Sequence, residues 1–348
     1  MAKTVKPVPC GSTKMPIVGL GTWLATDPTE LEVALNTALE VGYRHIDTAA
    51  IYKNEHIIGK VINQWICSGK LKREDLFITT KLPIQGIHRD RVEKYLHQSL
   101  QKLAVEYVDL YLIHFPFGMA ESADTVVYEE EDHRGIWEVM EKQVYACKTK
   151  SIGLSNFNKS QVANLLKFCD IKPANLQIEL HVFLQQPELV QFCRENEIGV
   201  TAYSPLGNPS FNKFLKSRGH QERQLVNVLT NPVVADIART HQRGSAQIAL
   251  RFLMQKYIVI IPKSVTPSRI HENFDVFDFI LSDEEMKRLE SLDMGEEARI
   301  VDWKIYPNIE NHPAYPFVYY SFHSMHLSPI IRNDVWDATS CCRMQDVD

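Results

Sequence analysis

Asp47, Tyr52, Lys81 and His114 are an acid, a phenol, an ammonium and an imidazole at or just beyond the ends of three successive β-rich runs, residues 44–47, 76–81 and 107–114. In a parallel α/β fold the carboxyl ends of the strands share one face, and that face carries the active site. The four groups are therefore expected to converge. Hydride addition to a carbonyl leaves negative charge on oxygen, which a positioned acid must neutralise. A phenol with a pKa near ~10 is a poor acid at neutral pH, and a close ammonium lowers that value. In this scheme Tyr52 donates the proton and Lys81 activates it. Asp47 anchors Lys81, and His114 hydrogen-bonds the carbonyl oxygen. Each residue alone has a plain reading, as a helix cap, a surface ring, a solvated charge or a satisfied core imidazole. Convergence from neighbouring strands is what favours chemistry.

The elements that must position them alternate. Eight β-rich runs, at 16–20, 44–47, 76–81, 107–114, 151–155, 174–178, 198–203 and 257–261, are separated by stretches such as 29–39 and 161–168 with apolar residues at helical spacing. Eight such units imply an α/β fold of the closed (β/α)8 TIM-barrel type rather than an open doubly wound sheet. Two long connections, 115–135 and 204–231, follow strands and so overhang the catalytic face. Thr266-Pro267 reads as a capped helix start, and Ser282-Asp283-Glu284-Glu285 as a capping box. The barrel is assigned to residues 1–318 and a tail, expected to be partly disordered, to 319–348.

The chain has 348 residues, 45% hydrophobic and 23% charged, with net charge -5. This is a globular balance with no basic stripe, so nucleic acid is not an expected partner. No apolar run reaches the ~18 residues of a membrane span, and the first residues lack the apolar core of a signal peptide. Of the seven cysteines, five fall in periodic apolar segments and are expected to be buried thiols. Cys341 and Cys342 stand together in the tail. A cytosolic setting fits.

The chain resembles the aldo-keto reductases. The resemblance is carried by Gly19-Leu20-Gly21-Thr22-Trp23, by His45-Ile46-Asp47-Thr48-Ala49-Ala50-Ile51-Tyr52-Lys53-Asn54-Glu55, by Ile152-Gly153-Leu154-Ser155-Asn156-Phe157 and by Ile261-Pro262-Lys263-Ser264, across about residues 8–318. It implies a soluble monomer that uses NADPH/NADP+ to reduce aldehydes, and ketones as well, with the tetrad complete. The resemblance places Ser155, Asn156 and Gln177 on the nicotinamide amide and stacks Tyr203 on the ring. Thr22, Trp23, Ser204 and Leu206 join the cofactor site. Lys263, Ser264, Thr266 and Arg269 take the 2′-phosphate, with Glu272 and Asn273 near the adenine. The segment 263–269 also reads physically as an anion site, a strand end running into a helix start. Gly19-Leu20-Gly21 is not a dinucleotide fingerprint, since Leu24 stands where its third Gly would be. A tight turn is its better reading.

Trp23, Ile51, His114 and Phe115, with Trp303, are expected to line the substrate cleft. No Arg or Lys can be assigned to it. Relatives that clamp the cofactor pair a loop Asp with lysines. Leu24 and Ser210 stand at the matching places here, so the ionic latch is expected to be weak and NADPH release fast, with loop 207–211 closing through apolar contacts. A non-catalytic NADP(H)-binding regulatory subunit is the alternative. A metal-dependent hydrolase lacks a ligand set beyond His45 and Asp47, and a nucleophilic one lacks a G-x-S-x-G elbow.

Overall fold

The computed structural model describes residues 7–120, 128–129 and 132–317. Eight parallel strands follow in chain order: β1 (Leu20–Gly21), β2 (His45–Asp47), β3 (Phe77–Leu82), β4 (Val108–Ile113), β5 (Thr149–Ser155), β6 (Asn175–Glu179), β7 (Gly199–Tyr203) and β8 (Val259–Ile260). Each pairs with the next. The ring closes through parallel bridges Val18–Ile260 and Gly21–Lys263. Gly19 N donates to Ile260 O at 2.8 Å, and Ile260 N to Ile17 O at 2.8 Å. This is the (β/α)8 barrel. The strands are buried along nearly their whole length because helices cover the outside.

The seam explains a motif. Gly19-Leu20-Gly21 lies in and beside β1, not in a turn. A Cβ on Gly21 would sit 2.5 Å from Ile261 O, so any larger residue would force the seam apart.

The surrounding helices are α1 (Pro28–Val41), α2 (Glu55–Cys67), α3 (Val92–Leu103), α4 (His133–Tyr145), α5 (Lys159–Leu165), α6 (Pro187–Glu195), α7 (Phe211–Ser217), α8 (Pro232–His241), α9 (Ser245–Gln255), α10 (Pro267–Phe274) and α11 (Asp283–Glu290). In α1, Asp27 accepts from Glu30 N, Pro28 opens the first turn and Gly42 ends the helix in the left-handed region, while Leu31, Ala34, Leu35, Ala38 and Leu39 turn inward. The capping box expected at Ser282 and Glu285 is present. Thr266 stands at the N-cap of α10, but its side chain makes no cap bond.

An antiparallel hairpin, Val8–Cys10 with Thr13–Met15, precedes the barrel and was not legible as periodicity. Ser151 Oγ donates to Cys10 O at 3.0 Å, which seats the hairpin at the amino-terminal end of β5. Among the described residues no helix is long and apolar enough to cross a membrane. Cys10 and Cys193 are buried as expected, but Cys67 and Cys147 are exposed. The first ends α2, and the second follows α4 with φ 57°, where the helical period no longer points inward. The tail beyond 317, with Cys341 and Cys342, and the acidic residues 130–131 lie outside the described residues.

Candidate active site

Lys81 is the centre of the site. It is 0% exposed, and its Nζ donates to Asp47 Oδ1 at 2.6 Å, to Thr48 O at 2.8 Å and to Tyr52 Oη at 3.5 Å. Adjacent strands produce this arrangement: Asp47 ends β2, Lys81 lies in β3, and Tyr52 closes a 3-10 turn, Ala50–Tyr52, just past β2. His114 follows β4, with its ring edge-on to Tyr52 at 5.8 Å between centroids. Gln177 Nε2 donates to the other Asp47 oxygen at 2.7 Å, so both carboxylate oxygens are engaged.

Burial governs the protonation of these groups. It lowers the Lys81 ammonium against the pull of Asp47. Burial, followed by the Lys81 charge, holds His114 well below its ordinary value, so the ring is neutral. The sequence leads one to expect an acidified phenol. Instead burial, then Asp47 and Tyr203, push Tyr52 well above its ordinary value. Lys81 Nζ lies closer to Asp47 (2.6 Å) than to the Tyr52 hydroxyl (3.5 Å) and does not offset that burial.

These residues open into a cavity of about 600 Å³ that runs from Asp47, Tyr52 and His114 to Lys263, Arg269 and Asn273, within the range of ligand sites. Thr22, Trp23, Ser155, Asn156, Gln177, Tyr203, Ser204, Leu206, Ser264, Thr266 and Glu272 all border it. Asn156 is held on three sides: Nδ2 donates to His114 O at 2.9 Å and to Ser155 Oγ at 3.2 Å, and Oδ1 accepts from Tyr203 Oη at 2.7 Å. That last bond fixes the Tyr203 ring.

The far end suits an anion. The N-terminus of α10 has no side-chain cap, so its first N–H groups are open to a ligand. Partial burial lowers the Lys263 ammonium; Glu30 opposes this and Lys213 adds to it. Asn208 Nδ2 is buried without a protein partner in the cavity wall.

Ile51 and Phe115 do not border the cavity. Phe115 is buried behind His114, stacked on it at 4.4 Å, with Trp303 edge-on at 4.4 Å. Ile51 packs against the same cluster. Trp303 does border the cavity, with Val301. Leu24 and Ser210 also line it, and the cover there is apolar: Trp23 meets Phe214 at 5.3 Å and Phe211 at 6.4 Å.

Glu179, at the end of β6, went unnoticed in the sequence. It is fully buried, and its two oxygens accept from Ile300 N at 2.9 Å and Val301 N at 2.8 Å, with His181 Nε2 at 3.2 Å. Burial raises its pKa, but the His181 bond and charge, Arg299 and the Val301 N–H outweigh this, so it lies below the ordinary value. Strand alternation two residues after Gln177 was the available signal.

Comparison with known proteins adds the following. The profile described as "Aldo/keto reductase family" matches residues 17–294. The bovine "Aldo-keto reductase family 1 member A1" is 42% identical over 317 residues, covering 87% of this chain and 95% of that protein. The human protein of that name is 40% identical over the same length. A solved structure, "Structure of the Aldose Reductase from Schistosoma japonicum", superposes with TM-score 0.80 at 40% identity, covering 90% of this chain and 98% of that one.

Proposed function

This chain belongs to the aldo/keto reductase family, and from that premise we propose that it reduces aldehydes, and ketones where the cleft admits them, with NADPH as donor and Tyr52 as the proton source. The observation that carries the reading is the buried Lys81 ammonium bridging Asp47, Thr48 O and the Tyr52 hydroxyl beside a neutral His114. NADPH would be held by Ser155, Asn156 and Gln177 at the carboxamide, by the Tyr203 face, and by Lys263, Ser264, Thr266 and Arg269 at the 2′-phosphate, with Thr22, Trp23, Ser204 and Leu206 beside it and Glu272 and Asn273 at the adenine. When bound, it supplies the hydride that adds to the carbonyl carbon.

The chain's own residues do the rest. The neutral His114 ring has one N–H, which orients the carbonyl oxygen without competing as an acid. The Tyr52 hydroxyl, protonated throughout the neutral range, gives its proton to that oxygen as charge develops there. Its phenolate is then stabilised by Lys81, whose charge Asp47 holds in place. A preorganised cation in a dry site is worth more than in water. The substrate is a small carbonyl compound. Trp23, Val301 and Trp303 make its wall apolar.

The test is NADPH oxidation with a panel of aromatic aldehydes, run beside Tyr52→Phe. The expected result is turnover by the wild type, a loss of about 10²–10⁴-fold in the variant, and NADPH affinity within about twofold. NADPH binding with no turnover of any aldehyde would favour the regulatory-subunit alternative. Equal affinity for NADH and NADPH would remove the 2′-phosphate assignment.

A further inference from the structure

We propose that Arg223 is a positioning residue that locks the segment covering the cofactor end of the cavity to the loop bordering its carbonyl end, so that one ion pair governs both cofactor release and substrate accommodation. The proposal rests on the function proposed above and replaces the expectation of an unlatched cofactor.

Two segments border the cavity. One is the connection after β7, whose Ser204, Leu206, Asn208, Ser210 and Leu229 line it. The other is the loop after α11, which contributes Val301 and Trp303 and is tied down by Glu179 through Ile300 N and Val301 N. The Arg223 guanidinium joins them. Nη1 lies 2.9 Å from Asp302 Oδ2 and 3.5 Å from Ile300 O. On its own segment, the guanidinium lies 5.7 Å from the Phe211 ring centroid, and Phe211 packs on Trp23 at the cavity rim.

The Arg223 backbone is held equally firmly. Its N–H donates to Asn212 Oδ1 at 3.0 Å, and its carbonyl accepts from Asn212 Nδ2 at 2.9 Å. α7 and the guanidinium therefore move together. The pair is not a loose surface contact, because the side chains are 32% and 7% exposed. Asp302 Oδ1 also accepts from Lys304 N at 3.2 Å, so the pair joins Arg223 to a carboxylate already held on its own loop. A ligand bordered by both segments cannot leave until this pair opens, and opening it also frees the residues flanking Asp302 that shape the substrate wall.

The experiment measures NADPH dissociation by stopped-flow fluorescence, together with KM and kcat for a small and a bulky aromatic aldehyde. The proteins are the wild type, Arg223→Met, Asp302→Asn, the double variant, and the charge-exchanged pair Arg223→Asp with Asp302→Arg. Each single variant is expected to release NADPH about threefold to tenfold faster and to change KM for the bulky aldehyde more than for the small one. The double variant should release it no faster than the quicker single variant, because both remove one interaction. Charge exchange should slow release again.

Release within about twofold of wild type in both singles, or single effects that multiply in the double, would overturn the latch. If Arg223→Met does not fold, Asp302→Asn, which keeps the shape, still decides the release rate. A wild type that binds and turns over while the variants release normally sinks the latch alone. A wild type that does neither sinks the proposed function and the latch with it.

Discussion

His114 is kept neutral and Tyr52 kept protonated by the same cause, withdrawal from water, acting in opposite directions on a base and an acid. Reduction needs both forms. The signs then fix the pH profile: His114 would lose its neutral form only well below pH 6.5, and Tyr52 its proton only well above pH 10.0. Between those values neither group should inflect kcat/KM for reduction, and an alkaline fall would belong to Lys81, whose ammonium burial lowers. An inflection near pH 6.5 that vanishes in His114→Gln would contradict this. Lys81→Met should lower kcat by about 10²-fold or more with little change in NADPH affinity, read by fluorescence titration. The convergence of Asp47, Lys81 and His114 was legible because they stand at or just past strand ends, whereas Tyr52 is brought to them by the 3-10 turn after β2. The protonation of Tyr52 was not legible. It depends first on how completely the phenol is withdrawn from water and then on the nearness of Asp47 and Tyr203, which spacing does not encode.

At the scale of elements, Glu179 ties β6 to the loop that brings Val301 and Trp303 to the cavity. Glu179→Gln would set an amide donor against one of two backbone N–H groups. A cost of about 1–3 kcal/mol in urea unfolding is expected, with a raised KM for aldehydes. An unchanged KM would mean that the loop holds its place without the carboxylate. The eight strands were visible as apolar runs, yet β1 and β8 shrink to two residues each, because the seam between them is made mainly by single bridges. α7 was read only as part of a long loop. Its Phe211, Phe214 and Leu215 have helical spacing, but seven residues between Pro209 and Gly219 are too few for the period to show. Phe115 was expected at the cleft because it follows His114. The stacking of the two rings turns it inward.

For the whole molecule, His45 couples stability to pH. It is fully buried, with Nε2 near Thr79 Oγ1 at 3.2 Å and Nδ1 near Pro16 O at 3.3 Å, and burial holds it down to about 4 from 6.5. In the unfolded chain it takes a proton below pH 6.5, while in the folded chain it does so only near 4. The contribution of His45 to stability should therefore be complete above pH 6.5 and fall by roughly 3 kcal/mol on acidification toward pH 4. In urea titrations across that window His45→Gln should lose about one proton's worth of slope. An unaltered slope would mean that other buried groups carry the effect. The barrel class was legible from eight alternating units, whereas the hairpin at its base was not, being two three-residue strands. That hairpin has a consequence for synthesis. Its seat is built from distant chain: Cys10 O meets Ser151 Oγ, and Met15 Sδ accepts from Thr201 Oγ1 at 3.7 Å. Residues 8–15 must therefore wait for β5 and β7 to emerge before they can dock, a long-range closure that is slow to form. A nascent chain halted after Glu179 should still expose residues 8–15 to protease, and one halted after 317 should shield them.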